Sequence, residues 1–159
     1  MFYFHHLWYV IFALPSGAST LPYHHLLGVM TEMTEASQME EPIDFPDTDD
    51  VFEERLRTAA IGMTFGWCEG GWKTDPGGDA CGMGQMYPVK GEPTCQTMRT
   101  DRRAAVRSMM RRMRMDIAFC DGDVRAGLGR YATGKCGWAQ DLVENRCRWS
   151  LGACGPSNR

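Results

Sequence analysis

The chain has 159 residues and a mass of 17.9 kDa, room for one domain of ordinary size plus an appendage. Hydrophobic residues make up 43% and charged residues 23%, a mix that excludes disorder over the whole length and a polytopic membrane protein. The formal net charge of −3 hides a division: residues 1–54 hold ten acidic residues and no Lys or Arg, whereas residues 55–159 hold all seventeen basic residues and ten acidic ones. A cationic domain of this kind suits an anionic partner, such as a cell-wall polymer, nucleic acid or a membrane surface.

Residues 1–30 carry no formal charge. The stretch Phe2–Leu14 is apolar and aromatic, broken by His5 and His6, and is short against the roughly 20 apolar residues of a membrane span. Small residues follow at Ser16-Gly17-Ala18-Ser19, as after a secretory signal core, but the basic n-region is missing. Residues 1–30 are therefore expected to form an apolar anchor or signal-like segment that contacts a membrane or another protein. The pairs His5/His6 and His24/His25 have metal-binding chemistry but read as polar interruptions of an interfacial segment. Residues 31–49 are acidic and punctuated by Pro42 and Pro46, which reads as a linker. Such an arm can also fold back on the basic half, since opposite charges attract.

The domain is expected over residues 50–154. Asp49 or Asp50 caps a helix with Glu53 and Glu54 in its first turn, where the dipole favours carboxylates. Phe52, Leu56, Ala59, Ala60, Met63 and Trp67 recur at helical spacing, and Gly70-Gly71 ends the helix near Glu69. A Gly-rich loop covers Asp75–Gly84, and Met83–Met86 form a short piece before Pro88. A second helix starts near Thr100 or Asp101 and buries Ala105, Val106, Met109, Met110, Met113 and Ile117. Its other face carries Arg103, Arg107, Arg111 and Arg114, a solvated row or a contact surface for an anion. Asp121-Gly122-Asp123 stops that helix and caps the next, Val124 to Tyr131, which Gly134 terminates. A last helix is expected over about Trp138–Trp149.

Seven cysteines, Cys68, Cys81, Cys95, Cys120, Cys136, Cys147 and Cys154, all lie in the basic half. That density points to disulfides formed in an oxidising compartment. No C-x2-C pair exists and no His lies beyond residue 25, so neither zinc nor any other cofactor is called for. The odd count leaves at least one thiol free or paired with another chain, and spacing alone does not fix the pairing.

Glu69 stands out as a candidate catalytic residue, in Trp67-Cys68-Glu69-Gly70-Gly71-Trp72. A carboxyl group between two Trp residues at a helix C-terminus is expected to be partly desolvated, the setting a general acid needs near neutrality. This hexapeptide, followed by Gly82-Met83-Gly84-Gln85-Met86-Tyr87-Pro88 and then by Ala126 to Tyr131 with Gly134, resembles the lytic transglycosylases with a lysozyme-like fold. The family carries Glu-Ser-Gly-aromatic, Gly-x-Met-Gln-x-x-Pro and Ala-x-x-x-Tyr-Asn-x-Gly in that order. Gly70 replaces the Ser, Ala132 replaces the Asn, and the Ala-to-Tyr spacing is five rather than four.

The resemblance covers about residues 50–150 and implies a mainly α, α+β lysozyme-like domain with an N-terminal extension. It looks closest to phage-encoded members, virion-associated or secreted, that act on peptidoglycan. Glu69 would protonate the glycosidic oxygen between N-acetylmuramic acid and N-acetylglucosamine and then act as base. The muramic acid 6-hydroxyl would attack, leaving 1,6-anhydro ends. Gln85 and the backbone around Met83 would contact the sugar, Tyr131 would orient Glu69, and Trp72, Tyr87 and Trp138 offer ring faces to sugars.

Asp75 and Asp79 read as turn residues of the Gly-rich loop. As a second carboxylate, either would instead hold a water and make the enzyme an inverting hydrolase. The altered Ser and Asn positions keep open a catalytically inactive structural or wall-binding virion protein. A nucleic-acid partner is not expected, because no recognised motif accompanies the arginine row. Reductant is expected to lower the melting temperature markedly; an unchanged melting point would mean that the cysteines are not bridged.

Overall fold

The computed structural model describes residues 2–15, 17–40, 42–73, 75 and 77–156, with the side chains of Phe2 and Tyr3 left aside. Ser16 of the small-residue stretch, Glu41 of the acidic segment and Pro76 of the Gly-rich loop lie outside the described residues. Seven α-helices follow one another: α1 Phe2–Ala13, α2 Tyr23–Met39, α3 Val51–Gly70, α4 Cys95–Thr100, α5 Arg102–Phe119, α6 Val124–Thr133 and α7 Gln140–Trp149. Among the described residues there is no strand, only one antiparallel bridge between Cys81 and Met86.

α3 is the spine. Asp50 caps it by accepting from the Phe52 amide at 2.8 Å, with Glu53 and Glu54 in the first turn, as the sequence predicts. Residues 57–66 are all buried, because α1, α2, α5 and α7 pack around this helix. Small residues let the neighbours approach. A Cβ on Gly62 would sit 2.8 Å from Met110 Cε and 3.1 Å from Met33 Sδ. A Cβ on Gly66 would sit 3.0 Å from Met83 Sδ.

The amino-terminal residues belong to this core, which corrects the expectation of an extension. α1 buries Leu7, Val10, Ile11 and Leu14, at the i, i+3, i+4, i+7 spacing of one helix face. Among the described residues no helix is long and apolar enough to cross a membrane. α2 buries Leu26, Val29, Met30, Met33 and Ala36 in the same way. Each large apolar side chain buried like this contributes roughly 1.5–3 kcal/mol.

Residues 31–39 are therefore helix, not linker. Only residues 42–50 run extended, and even there Ile43 and Phe45 are buried. The Ile43 amide donates to Thr58 Oγ1 at 2.9 Å, and the Arg57 guanidinium lies 3.9 Å over the Phe45 ring.

The acidic face of α2 and the arginine face of α5 meet. Arg102 Nε donates to Glu32 at 2.5 Å, and Arg103 pairs with Glu35. Arg107 and Arg111 both converge on Glu40 Oε1, at 2.8 and 3.1 Å. Arg103, Arg107 and Arg111 of the predicted row are thus paired within the chain.

α5 and α6 match their predicted caps. Asp101 accepts from the Ala104 amide to start α5, and Asp123 from the Ala126 amide to start α6. Gly134, at φ 81°, ends α6. α5 buries each of the six apolar residues its spacing predicts. Three disulfides fasten the loops: Cys81–Cys95, Cys120–Cys136 and Cys147–Cys154; Cys68 is the free thiol. Each bridge adds on the order of 2–4 kcal/mol.

Glu40 gives the charge pairing a pH signature. Burial pushes its carboxyl up, but the hydrogen bonds and charges of Arg107 and Arg111 outweigh burial and hold it below the usual carboxylate range. A depressed folded-state pKa contributes stability above the unfolded value that is lost as pH falls through the folded one. Glu40→Gln is expected to cost about 1–2 kcal/mol in urea denaturation at pH 7, given its partly exposed arginine partners. That deficit should shrink as the pH is lowered toward 3. A deficit independent of pH would remove Glu40 as the acid-sensitive member of the pairing.

Candidate active site

Glu69 lies in the last turn of α3, and the chain reverses directly after it. The Gly71 amide closes the helix on the Trp67 carbonyl at 2.8 Å, with φ 60° in the left-handed region that favours glycine. Trp72 follows with φ 58° and turns inward. Its Nε1 donates to the Met63 carbonyl at 2.7 Å, and its ring centre lies 5.0 Å from that of Trp67. Trp72 is fully buried, so it is a core residue and not a sugar platform.

The Glu69 side chain keeps 23% exposure and meets Arg146 of α7, whose Nη1 donates to Oε1 at 2.5 Å. Arg146 itself is only 8% exposed, and its guanidinium lies 4.6 Å from the Phe65 ring centre. Phe65 in turn meets Tyr131 edge-on, with centroids 6.0 Å apart. A continuous layer therefore runs from Glu69 through Arg146 and Phe65 to Tyr131.

Tyr131 anchors the loop that the sequence singled out. Its hydroxyl donates to the Gly84 carbonyl at 2.7 Å. Residues 81–86 form a tight turn closed by two hydrogen bonds between Cys81 and Met86, at 2.8 and 3.0 Å. A Cβ on Gly84 would lie 2.5 Å from Tyr131 Oη and 2.8 Å from Met109 Cγ, so the contact requires glycine. Burial pushes the Tyr131 phenol well above its usual range; the Glu69 charge adds to this, and Arg146 opposes it. Tyr131 is thus a neutral hydrogen-bond donor within the electrostatic reach of Glu69.

The other predicted residues divide by exposure. Met83 is fully buried and packs against Gly66, so its side chain serves the core rather than a ligand. Gln85 is half-buried with φ 48°, and its Nε2 donates to the Gly82 carbonyl at 3.2 Å within its own turn. Tyr87 is exposed, as is Trp138, which is capped by the Lys135 ammonium at 4.0 Å. Asp75 accepts from the Gly77 amide at 3.2 Å and pairs with Arg99 at 3.5 Å. Arg99 also donates to the Gly78 carbonyl at 2.7 Å, so Asp75 acts in shaping the Gly-rich loop. Asp79 is exposed on the same loop.

Two residues of this site escaped sequence reasoning. Cys68 carries the free thiol beside Glu69; burial pushes it up, and the Arg146 charge pulls against burial. Arg146 was signalled by its register: Val143, Arg146 and Cys147 share the buried face of α7, and a buried Arg needs an anion. A cleft of about 910 Å³ lies elsewhere, between residues 42–47, the end of α5, the start of α6, α7 and the tail. No metal-binding cluster of His, Cys, Asp or Glu occurs among the described residues. No family model, curated protein or solved structure matches the chain.

The seat of the turn on Tyr131 is open to direct test. Gly84→Ala should cost about 1–3 kcal/mol in chemical denaturation by overpacking this contact. Adding Tyr131→Phe should return part of that loss, because the closest clash is with the hydroxyl. A Gly84→Ala protein as stable as the parent would contradict the geometry.

Proposed function

We propose that this protein cleaves the glycan strand of peptidoglycan between N-acetylmuramic acid and N-acetylglucosamine as a lytic transglycosylase, with Glu69 as general acid and base. The observation that carries the reading is the convergence of three separate segments. Glu69 at the end of α3, the Gly82–Met86 turn and Tyr131 on α6 are linked by the Arg146–Phe65–Tyr131 layer and the Tyr131–Gly84 hydrogen bond. These are the segments in which the sequence resembles that family.

In this reading the Glu69 carboxylic acid gives its proton to the leaving glycosidic oxygen as the C1–O bond breaks. The resulting carboxylate takes the proton of the muramic acid 6-hydroxyl while that oxygen bonds to C1. The result is a 1,6-anhydro end and a free sugar hydroxyl, with no water consumed. Glu69 thus recovers its proton, and one carboxyl suffices where most glycosidases need two. Exposed Tyr87 and Trp138 are the aromatic faces left for sugar rings once Trp72 is assigned to the core. Three disulfides agree with a secreted, periplasmic or virion-borne protein.

A second reading rests on a specific observation. Oε1 of Glu69 is taken by a buried arginine, an arrangement that also suits an inactive, structural wall-binding domain. Digestion of purified peptidoglycan, with mass spectrometry of the fragments, separates the two. Anhydro-muramyl ends made by the parent and absent with Glu69→Gln, at least 10³-fold down as for loss of an essential acid–base group, would support the first. Reducing ends would make the protein a hydrolase, and no cleavage across several wall types would favour the structural reading.

A further inference from the structure

We propose that the outward face of α1, together with the start of α2, docks on a zwitterionic lipid bilayer, lying along its surface without crossing it. The proposal does not depend on the peptidoglycan reading.

α1 is apolar or aromatic on both sides. Leu7, Val10, Ile11 and Leu14 face the core. Opposite them His5, Tyr9 and Phe12 follow at i, i+4 and i+7, and all three are exposed. Tyr9 keeps 65% exposure and Phe12 69%, and Tyr23 at the start of α2 keeps 64%. These rings are grouped around Trp8, whose ring centre lies 6.2 Å from that of Phe12 and 5.7 Å from that of Tyr23. A helix at the surface of a domain ordinarily turns charged and polar residues to water. Here residues 1–31 hold no Asp, Glu, Lys or Arg. A grouped apolar surface of this kind marks an interaction site.

The chemistry of the face selects its occupant. Tyr and Trp join an apolar body to a polar tip, and they collect where hydrocarbon meets headgroup. Protein interfaces are enriched in arginine as well as in aromatic residues, and this stretch has no arginine to offer. An uncharged face on a chain of net charge −3 has no attraction for an anionic surface, so the bilayer it matches is zwitterionic.

Length sets the mode of docking. The 12 residues of α1 span about 18 Å, against a hydrocarbon core of about 30 Å. The inner face of α1 is also committed to α3. The helix therefore rests in the plane of the interface, with its outer rings reaching roughly 5–10 Å into the headgroup boundary.

The test is cosedimentation of the intact, disulfide-bonded protein with phosphatidylcholine vesicles. The parent should bind, and binding should not fall between about 0.1 and 1 M salt, because no charge is involved. Tyr9→Ser combined with Phe12→Ser should lower the partition coefficient about tenfold or more. Phe119→Ser, which removes a ring of 66% exposure from the end of α5, should bind as the parent does. Far-UV circular dichroism checks that each variant is folded. Should the double variant not fold, Tyr23→Ser alone, expected to weaken binding severalfold, decides in its place.

A parent that stays in the supernatant would overturn the proposal, as would binding confined to anionic vesicles and lost in salt. A double variant that binds like the parent would do the same. A dimer in sedimentation equilibrium that the double variant breaks would assign the face to a second copy of the chain instead. Peptidoglycan digestion is read without lipid, so a failure of docking and a failure of the cleavage reading are told apart.

Discussion

The pairing of the acidic α2 face with the arginine face of α5 is the constraint on which the rest of the structure depends. Glu32, Glu35 and Glu40 pair with Arg102, Arg103, Arg107 and Arg111 across that seam. Isolated surface ion pairs contribute little, about 0–1 kcal/mol each. Here the pairs form a row along one interface, and Glu40, with two arginine partners, is only 10% exposed. The row fixes the register of α2 on α5, and that register places Met30 and Met33 in the core. Charge supplies the alignment and buried methionines supply most of the energy.

α3 turns this register into a site. Its glycines admit methionines from three sides: Met33 from α2, Met110 from α5 and Met83 from the turn. Methionine suits such gaps because its unbranched chain adapts to irregular space. The turn is thereby held against the final turns of α3, and Tyr131 closes it from α6 through the Gly84 carbonyl. Glu69 emerges at the one end of α3 where the chain must reverse, which leaves its side chain about a quarter exposed while Arg146 beside it is buried. The buried Arg146 occupies the level directly below.

Much of this was legible in the sequence because local chemistry decided it. Asp50, Asp101 and Asp123 are caps with a single good use, and the apolar spacing of α5 named its buried face residue by residue. α2 was not legible as a helix because acidic residues and two nearby prolines carry the composition of a linker. Its apolar residues Leu26, Val29, Met30 and Met33 do follow helical spacing, but the partners of its acidic residues, the arginines of α5, lie about seventy residues away. Trp72 misled for a different reason. An aromatic residue after Gly-Gly looks like a surface ring, and only the left-handed backbone at residues 71 and 72 sends it inward. Arg146 was legible in register but not in partner, since nothing in α7 says that the buried anion comes from α3.

The segregation of charge along the chain therefore says little about what the surface attracts. A half at −10 and a half at +7 read separately as an acidic arm and a polyanion-binding domain, yet folding sets Glu32, Glu35 and Glu40 of the first against four arginines of the second. What remains for recognition is local. It includes exposed aromatic faces, Tyr87 and Trp138 among them, and a partly exposed carboxylate on a buried arginine. A ligand chosen by such a surface is chosen by shape and by hydrogen bonding at one oxygen, not by long-range attraction to a cationic domain. The same reasoning removes residues 1–49 from the class of dispensable extensions. Without them, α5 would expose four unpaired arginines, and α3 would lose Met33, which packs against both Gly62 and Gly66.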